Sequence, residues 1–200
     1  AGGGVNIAHA WPEFTEVVEK TNVPVVTTVM GRGAIPTDHP LYIGNLGMHG
    51  AYACNMAVNE CDLLFSIGTR FNDRITGKLH SFAPHAQIVH IDIDTAAISK
   101  NVQVDVPIVA DAKEAVTKML EYVTPCETEG WRAQIKEWKE KHPLTMKPRP
   151  IMTPKDVLDA INRLFDEAIV LTDVGQHQMF TAQFLEVNEK RRLFMSGGLG

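Results

Sequence analysis

Apolar residues follow two rhythms along the chain. Short apolar runs at 23–29 (VPVVTTV, β-branched), 63–68 (LLFSIG), 87–93 (QIVHIDI) and 106–110 read as strands, the first two of them buried. Between them, apolar positions recur at helical spacing over 12–21 (Phe14, Val17, Val18), over 51–59, and over 112–123, where Asp111 is placed to cap the helix. Residues 30–50 read as a long loop rich in Gly, Pro and His, and 69–80 as a polar loop. The alternation breaks at 124–150, where Pro125, Pro143, Pro148 and Pro150 bracket one amphipathic stretch, 131–141. It resumes with a helix over 154–165, with Thr153 as N-cap and Pro154 at the first helical position. A strand over 168–174, a helix over 176–185 and a short strand over 192–195 complete the pattern.

Continuous apolar strands alternating with helices predict an α/β fold: a parallel, doubly wound sheet covered on both faces. The expected organisation is a domain at 1–123, a Pro-rich linker carrying a helix at 124–150, and a truncated β/α segment at 151–200. Parallel sheets bind ligands at the carboxyl ends of their strands, so function is sought in the loops at those ends.

Composition narrows the classes. Hydrophobic residues are 44% and charged residues 22%, ordinary for a globular chain and unlike a disordered one. Lys+Arg 19 against Asp+Glu 24 gives a net charge of −5 without basic runs, which argues against a nucleic-acid partner. No apolar run approaches the ~18 residues of a membrane span, so no membrane partner is expected. Cys54, Cys61 and Cys126 form no CxxC, and the histidines form no HExxH, so no metal site is expected and the cytoplasm fits best. The chain opens on Gly2-Gly3-Gly4, ends on Gly197, Gly198, Leu199 and Gly200, and does not begin with Met, which reads as a piece of a longer protein.

Five loop segments carry candidate chemistry. Gly2-Gly3-Gly4 lets backbone N–H groups approach a diphosphate ahead of a helix, or simply makes a tight turn. After LLFSIG comes Thr69-Arg70-Phe71-Asn72-Asp73-Arg74. There Arg70 suits a phosphate and Arg74 a carboxylate, while an Asp–Arg surface pair accounts for the same residues. Asp92-Ile93-Asp94 ends its strand where an acid bonds a ribose, or where Asp94 caps a helix over 95–100. Asp92 lies 88 residues after Gly4, not the ~20 of the standard dinucleotide fingerprint, so a nucleotide site must be assembled from separate strands. Leu46-Gly47-Met48-His49-Gly50 suits backbone against a flat ligand, with Met48 as an adaptable apolar contact, or is a plain Gly-rich loop. Asp173-Val174-Gly175-Gln176-His177-Gln178 stands at a strand-to-helix turn that binds anions or caps itself.

Taken in order, VVTTVMGRGAIP, YIGNLGMHGAYACN, IGTRFNDRITGK, IVHIDID, TDVGQHQMF and SGGLG resemble the catalytic (large) subunit of acetolactate synthase, a thiamine-diphosphate enzyme. The resemblance covers essentially the whole chain. It implies the Rossmann-like, deoxyhypusine-synthase-like central domain of such enzymes, without its first strand, followed by the opening of the C-terminal domain. It implies FAD contacts from Gly3, Gly4, Thr28, Gly47, Met48, His49, Gly68, Arg70, Asp92 and Ile93. Arg74 would face the substrate, and Gln176, His177 and Gly200 would lie near thiamine diphosphate. Asn72 stands where many members have Asp, and Phe180 where many have Trp. The implied reaction joins two pyruvates, or pyruvate and 2-ketobutyrate, with loss of CO2, in branched-chain amino-acid synthesis. The implied assembly is a homodimer of catalytic subunits with a small regulatory subunit. The catalytic Glu and the Mg2+-binding segment of the family fall outside these residues, so the chain alone is expected to be inactive and to bind FAD weakly or not at all. Alternatives are another thiamine-diphosphate carboligase or decarboxylase, such as glyoxylate carboligase, or a stand-alone nucleotide-binding module of the same fold. RFNDR and LGMHG speak against the first, and the VGQHQ…SGGLG tail against the second.

Overall fold

A computed structural model describes residues 1–197. Its elements run α1 (Gly3–Ile7), α2 (Trp11–Thr21), β1 (Val25–Thr27), β2 (Tyr42–Asn45), α3 (Tyr52–Asn59), β3 (Leu63–Ile67), α4 (Asp73–Thr76), a 3-10 turn at Leu79–Ser81, β4 (Gln87–Asp92) and β5 (Val106–Val109). They continue as α5 (Ala112–Met119), α6 (Glu129–Lys141), α7 (Pro154–Leu164), β6 (Ala168–Thr172), α8 (Gln176–Phe184) and β7 (Arg191–Met195). The described strand pairs are all parallel, in ladders β1–β2, β3–β4–β5 and β6–β7.

Ala1 and Gly2 join the first two ladders. The Ala1 nitrogen donates to Val26 O (2.8 Å) and Thr28 N to Ala1 O (3.0 Å), while Gly2 N donates to Ile67 O (2.8 Å). Two residues thus pair with β1 on one side and with the end of β3 on the other, in the slanted pattern of a parallel ladder.

Period-two alternation sends neighbouring side chains of each strand to opposite faces. On one face Val25, Tyr42, Ile67 and Ile91 pack with Val5 of α1, Phe14, Val17 and Val18 of α2, and Ala112 and Val116 of α5. On the other, Val26 and Ile43 meet Ala53, Cys54 and Ala57 of α3 and Trp131, Ile135 and Trp138 of α6. Ile88 and Leu64 meet Phe71, Phe82, Val102 and Val104 on the same side. Cys54 is wholly buried there, and desolvation pushes its thiol up to about 12. The helix expected inside a linker is therefore the lid of the second face, seated by Trp131, Ile135 and Trp138 at i, i+4 and i+7.

Several elements depart from the sequence expectation: α4 lies inside the expected 69–80 loop, and the 3-10 turn lies at its end. β2 lies inside the expected 30–50 loop, because only four residues of it are extended and Gly44 interrupts their apolar character. Gly3 and Gly4 do not form a turn but begin α1, whose short span is set by packing of Val5 rather than by propensity. Thr153 caps α7 as expected, within a full capping box with Asp156.

Candidate functional site

The carboxyl ends of β1, β2, β3 and β4 bring the motif loops to one edge of the sheet. Thr28 follows β1, with its Oγ1 accepting Gly31 N at 3.0 Å. Loop 45–50 follows β2, and Arg70 and Arg74 follow β3, both exposed. Asp92 ends β4 and Ile93 follows it, 70% exposed on the rim.

The glycines serve close backbone approach. A Cβ on Gly68 would lie 2.5 Å from Gly4 Cα, and Gly68 has φ +61, so α1 can cross the end of β3 only over glycine. Gly3 N–H sits at the first position of α1, outside the helical ladder, and so remains available to an acceptor. A Cβ on Gly47, at φ +104, would lie 2.5 Å from Arg74 O. The LGMHG and RFNDR segments are thus docked on each other: Met48 N donates to Arg74 O at 2.8 Å, and Arg74 Nη1 approaches Met48 Sδ at 3.8 Å. Met48 itself is 62% exposed. Met30 lies against both glycine clusters, 3.2 Å from a Cβ on Gly3 and 3.1 Å from one on Gly197.

Residues that the motifs did not single out hold these turns. His90 is wholly buried and its Nε2 lies 2.8 Å from Thr69 O, an acceptor, so that nitrogen carries a proton. Asn101 Nδ2 donates to Phe71 O (3.0 Å) and Arg70 O (3.3 Å). Phe71 adopts φ +47, strain that its burial between Phe82 and His90 sustains. Asn55 clamps Gly47 with two bonds, to its N–H (2.9 Å) and its carbonyl (3.1 Å). The available signal was polar residues inside otherwise apolar elements: Asn55 in α3 and His90 in β4.

Asp92 is the site residue whose geometry differs most from expectation. Its Oδ1 accepts Asp94 N at 2.9 Å and the residue is buried, so the carboxylate is turned onto its own backbone instead of standing open at the strand end. Asp94 Oδ1 accepts Ala96 N at 2.9 Å, and a series of turns, not a helix, comes after it. No ion pair joins Asp73 to an arginine among the described residues.

Gln176 and His177, both exposed, open α8 at the carboxyl end of β6, behind Gly175 as N-cap and without a side-chain cap. Gln178 points inward and donates to Ser196 O at 2.7 Å. Gly200 lies outside the described residues. The far end of α8 reaches the first domain, where Gln183 Nε2 donates to His49 O at 2.9 Å and Asn45 Nδ2 to Ala182 O at 2.6 Å. Two grooves, of about 410 and 450 Å3, lie beside α6 and the side of α8; Arg32, Asn45 and Ala51 line the first, but neither includes a residue expected to touch a cofactor or substrate, so the chemistry-bearing edge is the better candidate.

The residues at that edge fit a flavin dinucleotide: an exposed guanidinium, a free helix-end N–H and a backbone ledge at Gly47–Met48. The uncapped end of α8 fits a diphosphate. Among the described residues no group of three or more His, Cys, Asp or Glu is placed to hold a metal ion, so no step is assigned to Mg2+. No described helix is long and apolar enough to cross a membrane.

Comparisons with known proteins agree with this geometry. The chain is 44% identical over its whole length to the probable acetolactate synthase large subunit of Methanocaldococcus jannaschii, covering 36% of that protein. It is 44% identical to the acetolactate synthase large subunit of Parasynechococcus marenigrum, covering 33% of it, and 40% identical to the acetolactate synthase of Mycobacterium bovis, covering 34%. The chain thus spans 33–36% of the length of these relatives. Residues 1–119, the part that builds the crevice edge, match the family described as thiamine pyrophosphate enzyme, central domain. The chain belongs to the thiamine pyrophosphate enzyme family, and its first 119 residues are that family's central domain.

Proposed function

We propose that this chain is part of the large subunit of an acetolactate synthase, joining two pyruvates, or pyruvate and 2-ketobutyrate, with loss of CO2 in the cytoplasm. The observation that carries the reading is the docking of LGMHG on RFNDR through Met48 N and Arg74 O, with His49 O bonded to α8. Segments as much as a hundred residues and more apart meet at one edge, as a shared site requires.

In this reading Gly3, Gly4, Thr28, Gly47, Met48, His49, Gly68, Arg70 and Ile93 hold FAD, with Arg70 on a phosphate. Asp92 joins them through the carboxylate edge that Asp94 N leaves free. FAD, when bound, acts as a rigid plate that shapes the site. Thiamine diphosphate with Mg2+, when bound, supplies the nucleophilic carbon and the electron sink for decarboxylation. Gln176, His177 and Gly200 line its diphosphate, and Arg74 orients the 2-ketoacid carboxylate at the mouth of the crevice. A strand running into Ala1 would pair with both β1 and β3 and complete the sheet. The assembly is a dimer of large subunits with a small regulatory subunit.

The test is acetolactate formation from pyruvate by the full-length protein that contains these residues, assayed with and without FAD. FAD-dependent acetolactate is expected, with Arg74→Ala raising KM about 10- to 100-fold, the worth of a charge-assisted bond. Conversion of pyruvate to acetaldehyde alone would overturn the reading. The 200-residue chain by itself is expected to make no acetolactate and to lose flavin on gel filtration.

A further inference from the structure

One loop stands between the two halves of the site with no slack on either flank. On the side of the central domain, Asn55 grips Gly47 through both its N–H and its carbonyl, and Met48 N donates to Arg74 O at 2.8 Å. Gly47 lies so close to Arg74 O that a single methyl would collide with it. On the side of α8, Asn45 Nδ2 donates to Ala182 O at 2.6 Å and Gln183 Nε2 to His49 O at 2.9 Å. The two ends of the same loop therefore hold consecutive residues of the last turn of α8.

Asn45 is 6% exposed, and its amide is engaged at both atoms, because Oδ1 also accepts Thr27 Oγ1 at 3.1 Å. A buried amide bonded in this way has a single satisfied arrangement, so moving the loop moves whatever Nδ2 holds. The neighbouring Arg32 adds to the grip. It is 5% exposed and donates through Nη1 to Tyr42 OH (2.7 Å) and through Nη2 to Leu185 O, where a cation also meets the negative end of the α8 dipole. Helix α8 has nine residues, a rod of ~13 Å at ~1.5 Å per residue. Held at 182–185, it fixes at its other end where Gln176 and His177 stand.

We propose that loop 45–50 couples the two cofactor regions: a planar dinucleotide resting on Met48 and His49 sets the position of α8, with Asn45 and Gln183 as the positioning residues that transmit it. The inference rests on the flavin reading of the loop given above. It assigns that group a physical role beyond filling the crevice, namely ordering the helix end that meets the second cofactor. Coupling of this kind is reciprocal, so disturbing α8 must also loosen the loop.

Amide hydrogen exchange on the 200-residue chain tests it, first without ligand. Gln183→Leu, on α8, is expected to speed exchange at Met48 N–H, whose partner is Arg74 O and not Gln183. Asn45→Asp keeps the acceptor for Thr27 but loses the donor to Ala182 O, and is expected to speed exchange in the last turn of α8. Each effect should be about three- to tenfold, the factor given by one ordinary hydrogen bond. Restoring the donor by reverting Asn45→Asp, with Gln183→Leu kept, should recover the α8 part alone. Effects confined to the substituted element would overturn the coupling. Saturating FAD, followed by its own fluorescence, is then expected to slow exchange in α8 of the full-length protein that contains these residues, but not of its Asn45→Asp variant. Flavin that binds and leaves α8 unchanged would also overturn it. A full-length protein whose flavin fluorescence never changes counts against the flavin reading instead, and the ligand-free arm still decides the coupling.

Discussion

Strands β4 and β6 look alike in sequence and live in different surroundings. QIVHID in β4 buries Ile88 (4% exposed) on one face and Ile91 (1%) on the other. AIVLT in β6 half-buries Val170 against Leu158, Leu185 and Val187, while Ile169 (70%) and Leu171 (74%) stand in solvent beside Phe194 (56%) of β7. An apolar run is therefore a statement about what a strand is built to have on both sides, not about what covers it here. The central sheet has helices on each face, whereas β6–β7 has α7 and α8 on one face only. A contiguous apolar face of that kind marks a surface made for contact.

The sharpest break of the comparison is a matched truncation. Ile91→Ala should cost about 3–4 kcal/mol, because it opens a cavity in a core that cannot collapse around it. Leu171→Ala should stay within about 0.5 kcal/mol, as surface changes do. Urea unfolding of both variants gives the numbers. Equal losses would mean that the outer face of β6 is buried in solution by self-association, which the dependence of the midpoint on protein concentration would reveal.

A second contrast sets the crevice edge against α6. Gly68→Ala forces a side chain at φ +61 and into the backbone of Gly4, and should cost about 2–3 kcal/mol from strain and overpacking together. Gly130→Ala meets nothing within 4 Å near the start of α6 and should gain up to about 1 kcal/mol from helix propensity. Thermal melts of the two chains should move in opposite directions. If both fall, α6 is under a constraint that its open surroundings do not explain.

Much of this was legible in the chain. The apolar runs located β1, β3, β4 and β6, because each carries an unbroken apolar signature, although the outer face of β6 is uncovered here. The caps of α5 and α7 were visible in Asp111 and Thr153, because capping is a local bond between neighbours in sequence. β2 was hidden, since its strand character comes from pairing with β1 and not from its own four residues. The resemblance correctly assembled LGMHG, RFNDR and VGQHQM as one family, and the matched family confirms it for the central domain. The hands that hold these motifs were not legible: Asn45 to Ala182, Asn101 to Phe71 and His90 to Thr69 are contacts across 137, 30 and 21 residues. A single Asn or His carries no mark of a partner so distant. The place of Asp92 at a strand end left a ribose-bonding acid and a capping turn both open, and the turn that bends its carboxylate inward is a contact with Asp94 N that the strand pattern does not specify.

The smallest expected effect tests whether the C-terminal unit answers on its own. In the capping box Thr153 Oγ1 accepts Asp156 N, and the Asp156 carboxylate accepts Thr153 N and Thr153 Oγ1, each at 2.7 Å. Those bonds hold the Asp156 carboxyl below its usual 3.8. A depressed carboxyl contributes stability above its unfolded value, and that contribution fades as pH falls through the folded one. Thr153→Ala should cost about 1 kcal/mol at pH 7. It should also blunt the acid sensitivity of α7, since it removes the Thr153 hydroxyl bond, the larger of the causes that lower the carboxyl, and leaves the one from the Thr153 backbone N–H. Exchange at α7 amides, compared at neutral and acid pH, reads both effects at once. If α5, capped by Asp111 in the central domain, loosens in step with α7, the two regions unfold as one body, and the half-covered sheet is as firmly held as the fully covered one. If α7 loosens alone, the uncovered face of β6 and β7 has a thermodynamic consequence as well as a geometric one: the unit with one open face is the unit that opens first.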